Sequence, residues 1–161
     1  MMRAASIFIA TLGAAASAFA ADADLFVGKW TLDAAQSKAE AGTVPKSETR
    51  TYGVIENGAV LTLVVDGVGA DGVAFAYGAT GDITGREYPV TDRGQGARIL
   101  GDAISWKKID ARTVEMDIKK KGEIINATRH SVSADGKTLT VTEDGIDADG
   151  KPIRAVTVYH K

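Results

Sequence analysis

The 161 residues carry 21 acidic and 19 basic side chains, which leaves a formal net charge of −2 at pH 7. This near balance gives neither the basic footprint of a nucleic-acid-binding protein nor a polybasic patch for a membrane surface, so we predict no nucleic-acid partner. The absence of cysteine excludes disulfides, thiolate metal sites and a lipid-modified N-terminal cysteine.

The first 20 residues have the pattern of a secretory signal peptide. One charged residue, Arg3, precedes a short apolar run, and Ala18 and Ala20 flank Phe19 as a small-x-small cleavage site. The run is too short to span a membrane, and no later stretch predicts a transmembrane segment. A buried N-terminal helix is the alternative interpretation. We expect cleavage after Ala20 and export, without disulfides, to a bacterial periplasm or the extracellular medium.

The remaining chain suits one domain, and it contains an internal repeat. Residues 54–72 (VIENGAVLTLVVDGVGADG) and 132–150 (VSADGKTLTVTEDGIDADG) are two copies of one stretch at an offset of 78 positions. In each copy an Asn-Gly or Asp-Gly turn signal precedes an alternating strand, and Ala-Asp-Gly then begins a second turn. The repeated order of strand and turn predicts a β-meander in both halves of the chain.

In chain order, the first predicted strand is 25–32 (LFVGKWTL), and the Ala-rich stretch 33–45 is predicted to be a loop with one helical turn. Apolar and polar residues alternate along the predicted strand 112–120, which places Val114, Met116 and Ile118 on its inner face. The other predicted strands, besides the central strand of the second repeat copy, are 46–56, 59–66, 73–80, 83–90, 97–100, 103–109, 124–133 and 152–161.

About ten strands joined by short connections predict an all-β fold. Neighbouring antiparallel strands either leave exposed edges or close on themselves, and closure removes the edges. We therefore predict an antiparallel up-and-down β-barrel of about eight to ten strands. A two-sheet sandwich with Greek-key crossings is the alternative.

Several segments resemble known families. The opening FVGKWTL of residues 26–32, on the first strand of a β-meander, resembles the Gly-x-Trp signature of the calycins, the lipocalin and fatty-acid-binding-protein superfamily. The ending VYHK resembles the last strand of fatty-acid-binding proteins. Further segments are similar to a group of small secreted bacterial lipocalin-like proteins: 45–47, 87–91, 109–115, 132–138 and 147–152. The resemblance implies a lipocalin-like barrel, with Trp30 as a plug at its closed end.

The chain departs from the fatty-acid-binding proteins at two points. Those proteins hold a carboxylate with an arginine two residues before the terminal tyrosine, where this chain has Thr157. Arg154 is nearby but has the opposite parity, so its side chain is predicted on the other face of the strand. The stretch 33–45 is also too short for the two-helix lid of that family.

The residue types that carry catalysis are sparse. His130 has neighbouring serines but no nucleophile elbow and no assignable orienting carboxylate, so we predict a surface or pocket-lining histidine. His160 is predicted to be exposed. Asp147 and Asp149 fail the spacing of a helix-loop-helix calcium site, because Lys151 would occupy a ligand position, and they are predicted to be turn residues. We therefore predict no enzymatic activity, no metal and no cofactor.

The predicted function is an exported barrel that binds a small apolar or amphipathic ligand. The many small residues on the predicted strands favour an interior with space, and polar anchors would be tyrosines or an inward arginine. The alternative is an envelope structural or protein-interaction module with a filled barrel and a protein partner that the sequence does not identify. The predicted ligand-binding residues are Tyr52, Phe75, Tyr77, Trp106, Met116 and Tyr159.

Overall fold

A computed structural model describes residues 25–92, 94–95 and 99–161, and the predicted signal peptide lies outside them. The described chain forms ten strands of a single sheet and a short 3-10 turn at Glu56–Gly58. The strands are β1 (Gly28–Ala41), β2 (Ser47–Ile55), β3 (Val60–Val68), β4 (Ala74–Asp82), β5 (Thr84–Pro89), β6 (Ala103–Asp110), β7 (Thr113–Lys120), β8 (Glu123–Val132), β9 (Thr138–Ile146) and β10 (Pro152–His160).

The strands follow one another around the sheet. Their order is β4-β3-β2-β1-β10-β9-β8-β7-β6-β5, and every pair is antiparallel. The pairing of β1 with β10 joins the first and last strands of the described chain. The prediction of an up-and-down barrel is confirmed, and the ladder of the described strands contains none of the crossings of a Greek-key sandwich.

The barrel is nearly closed where the outer strands β4 and β5 meet. A Cβ atom added to Gly81 of β4 would lie 3.1 Å from Cδ1 of Trp106 on β6. The N–H of Lys108 donates to the carbonyl of Ile83 at 2.9 Å. The missing side chain at Gly81 therefore lets the Trp106 side chain of β6 pack against the backbone of β4.

The two copies of the repeat form equivalent strands. β3 and β4 become β9 and β10 when the offset of 78 positions is applied. The turn bonds also correspond, since Gly72 N–H donates to Gly69 O at 2.9 Å and Gly150 N–H donates to Asp147 O at 3.0 Å. The order β4-β3 and the order β10-β9 follow the same sense around the barrel. A rotation about the barrel axis therefore relates the two copies.

The stretch 33–45 differs from its prediction. β1 continues to Ala41 as a bulged strand, with a register shift between Asp33 and Lys38. The Asp33 carboxylate accepts the N–H groups of Ala35 and Gln36 at 3.0 and 3.1 Å, and pairing with β10 resumes beyond the bulge. Pairing with a strand from the other end of the chain thus overrides the helical preference of alanine.

The predicted strand 97–100 lies partly outside the described residues. Its described part, Ile99 and Leu100, is not in a strand, although Ile99 is buried in the core. The inner face predicted for β7 is confirmed, because Val114, Met116 and Ile118 are all buried. None of the helical segments among the described residues has the length and apolar character needed to span a membrane.

Trp30 and Phe26 fill one end of the barrel. The Trp30 side chain is fully buried, its Nε1 donates to the Phe26 carbonyl at 2.7 Å, and the Lys161 ammonium lies 4.6 Å from the centre of its ring. The gap lined by Phe26, Leu61 and Ile83 has a volume of about 10 Å³. That space holds no more than about one water molecule, so this end is packed.

Candidate functional site

The interior contains a buried polar cluster. It is built from inward side chains of four strands that are brought together by barrel closure, and its polar members are less than one-tenth exposed. Alternation along β2 and β8 directs every second residue inward, which places several polar groups among the apolar core. We call the following set the interior cluster: Glu48, Arg50, Tyr52, Trp106, Thr128, His130 and Tyr159.

An ion pair occupies the β2 side of the interior cluster. Arg50 Nε donates to Glu48 Oε1 at 2.6 Å, and the Tyr159 hydroxyl donates to the same oxygen at 2.7 Å. The guanidinium carbon also lies 5.1 Å from the centre of the Tyr159 ring. Burial acts to lower the pKa of Arg50, but the Glu48 carboxylate and the neighbouring tyrosines hold it well above its usual value. Arg50 therefore stays charged inside the barrel.

His130 belongs to a chain of hydrogen bonds with a defined direction. The Tyr52 hydroxyl lies 2.6 Å from His130 Nδ1, His130 Nε2 lies 2.8 Å from Thr128 Oγ1, and Thr128 Oγ1 donates to the Met116 carbonyl at 3.2 Å. Because the threonine proton is directed to that carbonyl, Nε2–H donates to threonine and Nδ1 accepts from tyrosine. Both ring nitrogens are thus engaged, and neither is free to act as a base or metal ligand.

The protonation states of these groups follow from their burial. Burial, with a smaller effect of Arg50, lowers the pKa of His130 well below its usual value. Burial raises the pKa of Tyr52 to about 12, and it also raises the pKa of Tyr77 and of Tyr159. At neutral pH the imidazole is therefore uncharged, and the three phenols keep their protons.

Two N–H groups of the interior cluster are buried without an acceptor in the part of the chain that the structure describes. Arg50 Nη1 and Trp106 Nε1 lack a hydrogen-bond partner among the described residues, although both atoms are inaccessible to solvent. Trp106 lies against His130, with 5.2 Å between the ring centres. A buried donor without a partner costs about 1–3 kcal/mol, so an acceptor at either group would stabilise the protein.

The structure brings the six predicted ligand-binding residues into the barrel core. Five of them are buried, and Tyr77 is half-buried against the same core. Tyr52, Trp106 and Tyr159 belong to the interior cluster, whereas Met116 contributes its carbonyl to the Thr128 hydroxyl. Their role in ligand binding remains a prediction.

Sequence reasoning missed the polar half of the interior cluster. Glu48 and Arg50 have the same parity on β2 as Tyr52, which was predicted to face inward, and this parity was the available signal. His130 was predicted to be at the surface or lining a pocket, and the structure buries it completely. Its position equals that of Tyr52 shifted by the repeat offset of 78, so the two side chains in contact occupy equivalent places on β2 and β8, just before the two copies.

Three further features lie away from the interior cluster. A groove of about 420 Å³ runs between the β6–β7 and β8–β9 turns. Asp147 Oδ1 accepts the N–H groups of Asp149 and Lys151 at 2.9 and 2.8 Å, which agrees with its predicted role in a turn. His160, predicted to be exposed, is partly covered and lies 3.4 Å from Asp33.

The fold defined by this ladder is a ten-stranded up-and-down barrel like that of the fatty-acid-binding proteins and lipocalins. The chain is similar to the zebrafish ileal bile acid-binding protein complexed with cholic acid, with a TM-score of 0.52 and 12% identity over 85% of this chain and 98% of that one. Two less similar structures are the redesigned β-barrel mFAP1 bound to DFHBI (TM-score 0.47, 12% identity, 88% and 99% covered) and the siderocalin Ex-FABP (0.38, 10%, 84% and 73%). No family model and no curated protein matches the sequence.

The two tryptophans provide a matched pair of stability variants. Trp30→Phe removes an N–H that donates to a carbonyl, whereas Trp106→Phe removes one without a described partner. Both changes remove similar volume, so we expect Trp30→Phe to lose about 1–3 kcal/mol more free energy of unfolding than Trp106→Phe. Urea denaturation followed by circular dichroism measures the difference, and equal losses would show that the Trp106 N–H is satisfied.

The buried His130 makes stability depend on pH. Its pKa is about 6.5 in an unfolded chain and well below that in the barrel, so below pH 6.5 the unfolded state binds the proton first. This contribution lowers the unfolding free energy by up to about 1.4 kcal/mol per pH unit as the pH falls from 6.5 to 5. Urea denaturation at pH 6.5 and pH 5 measures the change in the free energy of unfolding. We expect this change to be smaller for His130→Gln than for the wild type, because the variant lacks the buried imidazole. An unchanged slope would contradict the prediction.

Proposed function

We propose that the chain is an exported, non-enzymatic barrel protein that binds a small apolar or amphipathic molecule in its interior. The observation that carries the proposal is the pair of buried donors, Arg50 Nη1 and Trp106 Nε1, without acceptors among the described residues. An apolar wall with a few convergent polar groups is the usual composition of a small-molecule site.

The fold supports the same proposal. A protein of this fold, the zebrafish bile acid-binding protein, is complexed with cholic acid. In the present chain the six predicted ligand-binding residues supply aromatic and thioether surface for the ligand. The polar groups of the interior cluster supply the hydrogen-bonding end of the site. The imidazole of His130 is fully hydrogen-bonded, which favours binding over proton-transfer chemistry.

Native mass spectrometry of the full-length gene product, purified from the envelope of its own host, tests the proposal. We expect a mature chain that begins at Ala21 and carries one small molecule, which denaturing extraction releases. The extracted molecule would identify the ligand class directly.

Two other results would contradict parts of the proposal. A chain that retains its first 20 residues in the cytoplasm would overturn export. A ligand-free mass, with no uptake from a mixed lipid extract, would favour the alternative of a filled barrel that acts through its surface.

A further inference from the structure

We infer that the interior cluster selects a ligand with an uncharged oxygen acceptor, such as an ester, ketone or alcohol oxygen, over one with a carboxylate, and that Arg50 and Trp106 donate to that oxygen. The inference rests on the proposed function and names the ligand class of the same site.

The charge of Arg50 is already balanced. Glu48 lies 2.6 Å from Arg50 Nε, and both side chains are only 6% exposed. A buried ion is costly unless it is paired, and here one carboxylate pairs with one guanidinium. A ligand carboxylate would be a second anion beside a cation that is already neutralised.

The other charges near the interior also disfavour an anion. Glu143 is half-buried, accepts a hydrogen bond from Asn126 at 2.7 Å, and contributes to the raised pKa of Tyr77. His130 remains neutral, because its burial and Arg50 lower its pKa. Among the described residues, the region around the interior cluster thus holds two carboxylates and one guanidinium, and it supplies no further cation for an anionic ligand.

The two buried side-chain atoms that lack a partner among the described residues are both donors. The Tyr52 hydroxyl donates to His130, and the Tyr159 hydroxyl donates to Glu48, so neither proton is free for a ligand. The two N–H groups without partners require an acceptor atom. An uncharged oxygen meets this requirement without the cost of burying a second negative charge.

Four matched probes test the inference on the full mature chain. Oleate, methyl oleate and oleyl alcohol share an 18-carbon cis-9 chain and differ in the polar end, and 1-octadecene is a hydrocarbon of the same chain length without the cis-9 double bond. Each is delivered on cyclodextrin while tryptophan fluorescence reports binding. We expect methyl oleate and oleyl alcohol to bind with Kd values about tenfold below those of oleate and of 1-octadecene, as one or two added hydrogen bonds allow. This comparison requires no variant.

The other outcomes are distinct. Tighter binding of oleate would overturn the inference and leave the proposed function in place. Equal binding of all four probes would show that the donors are not used, which also overturns the inference. Binding of none of them, together with a ligand-free native mass, would overturn the proposed function itself.

Glu48→Gln tests the charge argument separately. Glutamine keeps an acceptor oxygen for Arg50 and Tyr159 but removes the negative charge. We expect oleate binding to tighten about tenfold while methyl oleate changes less than about threefold, since charged hydrogen bonds are stronger than neutral ones. Glu115→Gln, which removes the half-buried carboxylate that pairs with Arg129 away from the interior cluster, is the control and should change neither.

Trp106→Phe tests the proposed hydrogen bond to the ligand even if Glu48→Gln does not fold. Trp106→Phe removes one proposed donor and retains an aromatic ring. We expect it to weaken methyl oleate about five- to tenfold and to leave 1-octadecene unchanged. Equal weakening of both probes would show that Trp106 acts through packing alone.

Discussion

Arg50→Met is expected to lower the free energy of unfolding by about 3–5 kcal/mol, because removing one partner of a buried ion pair leaves the other charge uncompensated. Glu48 would lose the Nε donor at 2.6 Å and retain only the Tyr159 hydroxyl. Urea denaturation of the wild type and the variant at neutral pH measures the loss.

A double variant and a surface control complete the experiment. Glu48→Gln combined with Arg50→Met leaves no buried charge at this pair, so we expect it to be more stable than Arg50→Met alone. Arg154→Met removes an exposed guanidinium 3.4 Å from Asp144 and should cost less than about 1 kcal/mol. Similar losses for Arg50→Met and Arg154→Met would contradict the buried ion pair.

Gly67→Ala is expected to destabilise the barrel by more than about 3 kcal/mol, since an added methyl group has no space between β2 and β4. Its Cβ would overlap the carbonyl oxygen of Ser47 and lie 2.9 Å from Phe75 Cζ and 3.0 Å from Glu48 Cα. Neither the carbonyl nor the Cα atom can move without a shift of β2, which also carries the buried ion pair. Thermal and urea denaturation of the purified variant measure the effect.

Gly78→Ala is the matched control on β4. The nearest atom to its added Cβ is the Leu63 carbonyl oxygen at 3.5 Å, an ordinary contact. Alanine reduces the freedom of the unfolded chain, so we expect this variant to gain about 0.4–1 kcal/mol. A loss at Gly78 equal to that at Gly67 would show that the native backbone conformation of glycine, and not space, decides both.

Most of the fold was predictable because its signals are local. Alternation and turn residues located most of the strands, and the repeat fixed the equivalence of β3–β4 with β9–β10. The continuation of β1 to Ala41 was not predictable in this way. It depends on pairing with β10, more than a hundred positions away in the sequence, while the residues themselves are rich in alanine and favour a helix.

The candidate site was only partly predictable, for a related reason. Large apolar side chains on strands face inward more often than not, so Tyr52, Trp106 and Met116 were identified by size and position. Glu48 and Arg50 were not, because charged residues on a strand normally face water. Glu48 and Arg50 share the parity of Tyr52, but a bulge would reverse that parity, and only the assembled barrel shows that β2 pairs with β3 without a register shift.

The contact between Tyr52 and His130 joins β2 to β8, two strands that correspond when the repeat offset of 78 is applied. Two identical halves related by a rotation about the barrel axis would line the interior with two equivalent sides. In this chain the sides differ, because Glu48 and Arg50 on β2 correspond to Asn126 and Thr128 on β8. The ion pair lies on one side of the interior and uncharged side chains lie at the equivalent positions on the other, so the two sides would contact the polar end of an asymmetric molecule differently.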